Sequence, residues 1–459
     1  MAPQRALLLG SGFVAKPTLD ILAEAGVEVS VACRTLEKAK KLSQGVNLAS
    51  AISLDVNDEK ALDAAVAQHD LVISLIPYTY HAAVIKSAIR NKKHVVTTSY
   101  VSDAMMELDQ QAKDAGITVM NEIGLDPGID HLSAVDTINN VHAAGGKILT
   151  STMRRTIAHE VLLVVGDPIT PELDMTFEIS TRSRGVLLAL RNAATFWEDG
   201  KIVNVAGPEL MATAKPYHIY PGYAFVAYPN RDSSIYKERY NIPEAQTIIR
   251  GTLRYAGFPE FIKVLVDTGF LNDTEQDAFK QPIPWKEATQ KLLNAPSSSE
   301  ADLVAAVSSK TTFKDAEEKA RLISGLKWIG IFSDDNITPR GNPLDTLCAT
   351  LEEKMQYEEG ERDFVMLQHK FEIENKDGSR ETRTSTLADY GAPIGSGGYL
   401  SMERLVGVPA GIAAKQVLDG TLSEKGVIAP MTAKINDPLI KELAKYGIGF
   451  KEKTIKHSA

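Results

Sequence analysis

Cysteine is close to absent from this chain: its 459 residues hold two, Cys33 and Cys348. That excludes a disulfide framework and a cysteine-built zinc site, and it fits a reducing intracellular compartment. Long apolar runs are also missing. No stretch reaches the ~20 residues needed to cross a bilayer, and ALLLG near the N-terminus is too short for a secretory segment. The closing HSA matches no retention or peroxisomal signal. There is no block of like charge, no internal repeat and no low-complexity tract; the short KAKKL and NKKH runs read as solvated helix faces and loop ends. With a net charge of −9, neither nucleic acid nor an anionic membrane is expected as a partner, because phosphate-rich surfaces demand clustered positive charge. His94, His131, His142, His159, His218 and His369 show no metal-ligand spacing, so no metal site is expected and each reads as structural.

What is present is a soluble globular composition, 44% hydrophobic and 24% charged, on a chain long enough for two or three domains. The first third alternates apolar runs with helical stretches. The runs are RALLLG (5–10), VEVSVAC (27–33), AISLDV (51–56), DLVISLI (70–76), KHVVTTS (93–99) and ITVMNE (117–122). Between them lie KPTLDILAEAG, LEKAKKLSQ, DEKALDAAVAQ, YHAAVIKSAIRN and AMMELDQQAKDAG, with Gly26 and Gly116 where helix C-termini want glycine. Continuous apolar strands with helical crossovers predict an α/β fold built on a parallel, doubly wound sheet of Rossmann type. After about residue 131 longer strands appear: KILTSTM, FVMLQHKFEIE and RETRTSTLA, the last two joined by a hairpin turn at Asn375-Lys376-Asp377-Gly378. A helical region over 258–360 interrupts them, with N-cap serines in PSSSEADLVAAV. SGGYLSMERLVGVPAGIAAKQVLDG reads as a long helix packing back on the first domain. The expected division is 1–130 with 391–459, 131–257 with 361–390, and 258–360.

The sharpest local signal is Gly10-Ser11-Gly12-Phe13-Val14-Ala15, a G-x-G-x-x-A turn between a strand and a helix. The first glycine makes the turn, the second lets backbone approach a pyrophosphate, and the small third position allows close packing. The diphosphate would sit on helix N-terminal N–H groups. A bare turn of this kind also occurs without a ligand, but here strand, helix and second strand are spaced as a dinucleotide site requires. The second strand ends Cys33-Arg34-Thr35 where an acidic residue usually accepts from a ribose hydroxyl. A guanidinium cannot accept, but it pairs with the 2′-phosphate that NADP has and NAD lacks. An exposed arginine after a strand is common, yet the missing carboxylate favours NADP. Cys33 reads as a small buried filler. Asp55-Val56, Ile76-Pro77, Thr98-Ser99-Tyr100 and Leu125-Asp126-Pro127-Gly128 follow the later strands and define one rim, although Asp-Pro-Gly alone is also good turn chemistry.

LGSGFV, VACRTLEKAKKLS, HDLVISLIPYTYHAAVIKSAIR, NEIGLDPGIDHL, YPGYAFVAYPNRDS, RGTLRY and YGAPIGSGGY together make nearly the whole chain similar to the saccharopine reductase family. These are the NADP-dependent, glutamate-forming saccharopine dehydrogenases of fungal lysine biosynthesis. The resemblance implies that glutamate and α-aminoadipate δ-semialdehyde condense to an imine, which NADPH reduces to saccharopine. It implies cofactor positions at Ser11, Gly12, Phe13, Val14, Cys33, Arg34, Thr35, Asp55, Val56, Ile76, Thr98, Ser99, Leu125, Asp126 and Pro127. Substrate positions are implied at Ser99, Tyr100, Asp126, Arg231, Thr252, Leu253 and Arg254. A mixed-sheet domain for substrate and dimerisation, a homodimer and a cytoplasmic location are implied with them. Read alone, Arg231 or Arg254 is equally a surface arginine; two at one rim would suit a polycarboxylate. Asp126 could hold the substrate amine as an ion pair or handle the imine proton. Two other readings stand beside this one. One is a related NADP-dependent reductase of another amine–aldehyde imine, of carboxynorspermidine type, against which AYPNRD and RGTLRY argue. The other is a non-catalytic NADP-binding homologue.

Between Thr150 and Ser183 the resemblance stops. The family's Cys-Gly-Gly-Leu-Pro turn gives way to STMRRTIAHEVLLVVGDPITPELDMTFEISTR, Arg182 stands where the family has a cofactor serine, and similarity resumes at Ser183-Arg184-Gly185. Edges this sharp are expected of a retained intron or a compensated frameshift in the coding sequence. A tryptic digest of the native protein should then lack the peptide Thr156–Arg182. Recovering it would make the segment genuine and would alter the roof of the active site.

Overall fold

The computed structural model describes residues 3–159 and 187–458. Most of the departing segment 151–182, including Arg182, therefore lies outside the described residues, as do Ser183, Arg184 and Gly185. The chain forms two compact units, one of Met1–Lys147, Ile373–Ala392 and Gly397–Ala459, the other of Ile148–Glu372 and Pro393–Ser396.

The first unit is built on β1 (Arg5–Leu9), β2 (Glu28–Cys33), β3 (Ala49–Ser53), β4 (Leu71–Ser74), β5 (His94–Thr97) and β6 (Thr118–Met120). Their crossovers include α1 (Ala15–Glu24), α2 (Leu36–Ser43), α3 (Glu59–Ala67) and α4 (His81–Asn91). All six strands are parallel, in the order β3-β2-β1-β4-β5-β6. That is the doubly wound order, and the order of the strands reverses between β1 and β4, where ligands bind beyond the strand ends. Leu7, Leu9, Val72, Val84, Ile85, Val95 and Val119 pack between sheet and helices. Gly26 and Gly116 have positive φ, 79° and 71°, as the helix-ending role requires.

Two details depart from the sequence reading. A seventh parallel strand, Gly426–Ile428, extends the sheet beside β6. The helix expected over 104–116 is two short ones, Asp103–Met106 and Asp109–Asp114. The break places Asp109 at the start of the second, where its Oδ1 accepts from the Val427 backbone N–H at 2.8 Å. The side chain thus satisfies an edge donor of the added strand. The same unit carries an antiparallel pair, Arg380–Tyr390 with Lys451–Lys456. The turn at Asn375–Gly378 closes with Asn375 N–H donating to Ser379 O at 2.8 Å.

In the second unit a mixed sheet runs Lys215–Pro216, Phe225–Pro229, Thr247–Tyr255, Lys147–His159, Asp363–Glu374, with Ala194–Glu198 and Lys201–Val205 attached to one side. Thr247–Tyr255 is parallel to Lys147–His159 and antiparallel to Phe225–Pro229. The helical insertion follows Tyr255: Phe258–Asp267, Trp285–Leu293, Glu300–Lys310, Ala316–Ile329 and Pro343–Lys354. Phe258, Phe261, Phe270, Phe279 and Trp285 fill its core. Ser299 caps Glu300–Lys310 by accepting from Asp302 N–H, as the serine run suggested.

Within the first unit, α1 lies against the buried face of the long helix Ser401–Leu418. Two glycines allow the approach. A Cβ at Gly407 would stand 2.5 Å from the Val14 carbonyl oxygen, and one at Gly411 3.1 Å from the Ile21 side chain. Thr18 Oγ1 donates to Gly407 O at 2.8 Å across the contact. Gly407→Ala should therefore overpack this seam and cost about 1–3 kcal/mol in urea unfolding. Gly449→Ala, at a position with nothing within 4 Å, serves as the neutral control. Equal stability of the two variants would show that the seam is not tight.

Candidate active site

The glycine turn follows β1 at the sheet's reversal point. Gly10 has φ 110° and donates its N–H to Ala32 O at 3.0 Å. A Cβ there would lie 2.8 Å from the Leu75 carbonyl oxygen at the end of β4, so only glycine lets β1 and β4 stay adjacent. At Gly12 a Cβ would meet nothing within 4 Å, the open backbone a pyrophosphate needs. Val14 precedes α1 with no side-chain cap, which leaves the helix N-terminus to a ligand. Ala15 is fully buried. These residues fit a dinucleotide.

At the end of β2, Arg34 and Thr35 are exposed. Thr35 precedes α2 without capping it, and Ser53 Oγ holds the Arg34 carbonyl at 3.2 Å. Arg34 makes no ion pair among the described residues, so its guanidinium is available to a 2′-phosphate. Cys33, expected as a buried filler, is only half-buried, because its strand ends there. Asp55 folds on itself, with Oδ1 accepting from the N–H and side-chain amide of Asn57 at 3.0 and 2.9 Å. Val56 and Ile76 are half-buried at the same edge.

Beyond β5 and β6 the rim tightens. Gly124 N–H donates to Pro127 O at 2.9 Å, and Ile129 N–H returns to Gly124 O at 2.9 Å. The Asp126–Pro127 peptide is cis. At Gly128, with φ 148°, a Cβ would fall 2.1 Å from Gly124 O, so no other residue closes this loop. Leu125 and Pro127 turn inward while Asp126 stays half-exposed, and the Tyr100 hydroxyl donates to its Oδ1 at 2.5 Å. Thr98 and Ser99 are half-buried beside them.

Two polar networks behind this rim carry residues that sequence reasoning left aside. Glu122, fully buried and at φ 60°, accepts from Val101 N–H at 3.0 Å through Oε1 and meets His131 Nε2 at 2.9 Å through Oε2. The other His131 nitrogen lies 3.4 Å from Asp130, whose Oδ1 accepts from Gly128 N–H at 2.6 Å. His81, 1% exposed at the start of α4, places Nδ1 2.9 Å from Ser74 Oγ and Nε2 2.8 Å from Ser99 Oγ and 3.2 Å from Thr97 Oγ1. The only signal was polar residues inside apolar strands and turns.

In the second unit, Arg231 is exposed just past Phe225–Pro229 with φ 50°, its carbonyl accepting from Thr195 N–H at 2.9 Å. Its neighbour Asn230 donates from Nδ2 to Thr252 Oγ1 at 2.8 Å, which ties the Arg231 loop to the strand bearing Thr252, Leu253 and Arg254. Leu253 is fully buried, so it offers a ligand only backbone. Arg254 lies over the Phe258 ring at 5.3 Å.

Residues 6–120 match the family "Saccharopine dehydrogenase NADP binding domain" and residues 124–448 the "Saccharopine dehydrogenase C-terminal domain". The chain is 69% identical over 459 residues to saccharopine dehydrogenase [NADP(+), L-glutamate-forming] of Pyricularia oryzae, covering 99% of this chain and 100% of that protein. It is 34% identical to mitochondrial alpha-aminoadipic semialdehyde synthase of Bos taurus, covering 97% of this chain and 47% of that protein. The solved structure of apo histidine-tagged saccharopine dehydrogenase (L-Glu forming) from Saccharomyces cerevisiae superposes with a TM-score of 0.90 at 57% identity, covering 98% of this chain and all of that one.

Burial alone pushes the His81 imidazole down to about 4 from its ordinary 6.5, so the folded protein holds the ring neutral. As pH falls below 6.5 the unfolded chain takes up a proton that the folded ring refuses. This stability is intact above 6.5 and lost between 6.5 and about 4. Burial likewise lowers His69 and His94, so the test is a difference. Between pH 7 and pH 4, His81→Gln should lose about 3 kcal/mol less unfolding free energy than wild type. Parallel pH curves for the two proteins would show that His81 does not carry this dependence.

Proposed function

The chain belongs to the saccharopine dehydrogenase family, and on that footing we propose that it is an NADP-dependent, L-glutamate-forming saccharopine dehydrogenase. In the biosynthetic direction it reduces the imine of glutamate and α-aminoadipate δ-semialdehyde to saccharopine. The observation that carries the reading is a single sheet edge. The glycine turn and Arg34 follow β1 and β2, and the Tyr100–Asp126 pair follows β5 and β6 on the same side.

NADPH, when bound, supplies the hydride that adds to the imine carbon. The chain's own residues do the positioning. Gly10, Ser11, Gly12, Phe13 and Val14 hold the diphosphate, and Arg34 with Thr35 the 2′-phosphate. Cys33, Asp55, Val56, Ile76, Thr98, Ser99 and Leu125 to Pro127 line the rest of the cofactor. Asp126 pairs with the substrate nitrogen in the protonated imine, so that hydride addition to the carbon leaves a neutral secondary amine and no further proton transfer is needed. The Tyr100 hydroxyl keeps that carboxylate in place. Arg231, Thr252, the Leu253 backbone and Arg254 receive the carboxylates. No strong general acid is required, because hydride transfer depends mainly on orientation. The division into a cofactor part (1–130 and 391–459), a substrate and dimerisation part (131–257 and 361–390) and a helical part (258–360) belongs to the same proposal. A homodimer through the mixed-sheet part is supported by the family resemblance. A cytoplasmic location is supported by two free thiols and by the lack, among the described residues, of any helix long and apolar enough to cross a membrane.

The purified protein should consume NADPH and form saccharopine when given glutamate and the semialdehyde. Arg34→Asp should cut the preference for NADPH over NADH by at least about tenfold, the loss of one charge-assisted contact. Absence of saccharopine would sink the assigned reaction, and an unchanged cofactor preference would sink the role of Arg34.

A further inference from the structure

Among the described residues Ser99 is held at three points, and only one of them controls its hydroxyl. Its N–H donates to Thr97 Oγ1 at 3.0 Å and its carbonyl accepts from Glu122 N–H at 3.1 Å. Its backbone is therefore fixed by β5 and β6. Among the described residues its Oγ meets one side chain, His81 Nε2, at 2.8 Å. A neutral imidazole has one donor and one acceptor. The ring spends these on three hydroxyls, of which Ser74 and Thr97 are fully buried and Ser99 alone reaches the rim. Burying an imidazole costs free energy that an apolar residue would not incur. Here the cost is placed directly behind a residue at the cofactor edge.

We propose that His81 is a positioning residue for that edge: it locks the Ser99 hydroxyl in one rotamer and one hydrogen-bond role, so that the group meets the bound cofactor pre-oriented. His81 touches no ligand itself. Ser74, bonded to the far nitrogen at 2.9 Å, fixes the ring in turn, so the chain of control runs from Ser74 through His81 to Ser99. The inference rests on the reading of Ser99 as a cofactor contact.

The test is a double-mutant cycle on NADPH affinity, read by cofactor fluorescence without substrate. Ser99→Ala and His81→Asn should each weaken NADPH about tenfold, the size of one oriented hydrogen bond. The double variant should be no weaker than Ser99→Ala, because His81 acts only through that hydroxyl. His81→Gln, whose amide reaches toward Ser99 as Nε2 does, should stay within about threefold of wild type. Independent losses that multiply to about a hundredfold would overturn the proposal, and so would a His81→Asn protein with unchanged affinity. If His81→Asn does not fold, Ser74→Ala replaces it, with a weakening of a few-fold expected that vanishes in the Ser99→Ala background. Persistence of the effect there would equally overturn the proposal. Saccharopine turnover by wild type is measured in parallel. Its absence would refute the assigned reaction while leaving the NADPH cycle readable, whereas multiplying effects would refute only the role of His81.

Discussion

The cofactor edge depends on how closely two backbones pass. With 2.8 Å between the Leu75 carbonyl oxygen and any Cβ placed on Gly10, the end of β1 can lie beside β4 only without a side chain. On its far side α1 is pressed by Gly407, whose own Cβ would stand 2.5 Å from Val14 O. The turn is thus held between two approaches that glycine alone permits. One clamp comes from a helix 389 residues further along the chain. The direction in which α1 offers its N-terminal N–H groups is therefore a tertiary property, set by packing that closes after most of the chain is made. A motif match at residues 10–15 describes only half of that arrangement.

The opposite end of the edge is held by a buried polar network as well as by closeness. Glu122, His131 and Asp130 are fully buried, and they link the loop after β5, the end of β6 and the Gly124–Gly128 loop. Buried polar groups are tolerated when partnered, and removing one partner leaves the other desolvated. The left-handed backbone at Glu122 is uphill for a side chain with a Cβ; its Oε1 accepts from Val101 N–H and its Oε2 lies 2.9 Å from His131 Nε2. Tyr100 and Asp126 sit on the two loops this strap joins, so the pair acquires its geometry from residues that meet no ligand.

The six parallel strands were legible because strands covered on both faces read as continuous apolar runs, and the glycine turn because its spacing carries its mechanism. Gly426–Ile428 was not: three residues without periodicity, pairing with β6 from 308 positions away at Gly426↔Thr118, leave no local trace. The helix over 104–116 looked unbroken since Met105, Leu108 and Ala112 keep helical spacing. At the break Asp109 satisfies the distant Val427 N–H, a contact with no local trace. Arg34 was readable from the missing carboxylate. Tyr100 and Asp126 were candidates from their place at the strand ends and took their roles through resemblance, and their hydrogen bond could not be read at all. His81 passed as an ordinary helix residue, because its function lies in three hydroxyls on other segments.

The two ends of the edge meet opposite electrostatic demands. The chain carries a net charge of −9, and a phosphorylated dinucleotide is itself polyanionic, so attraction must come from local groups. Arg34 is exposed, where a guanidinium keeps its hydration and costs little to hold unpaired, and the uncapped start of α1 adds partial positive charge without a side chain. Near Ser99 a further cation would be misplaced: a protonated His81 would offer two donors and no acceptor, scrambling the roles of Ser74, Thr97 and Ser99. Burial removes that proton, leaving a ring that orients hydroxyls without adding to the field. Charge is spent where the ligand's phosphate would lie, and neutrality is enforced where a hydroxyl must point.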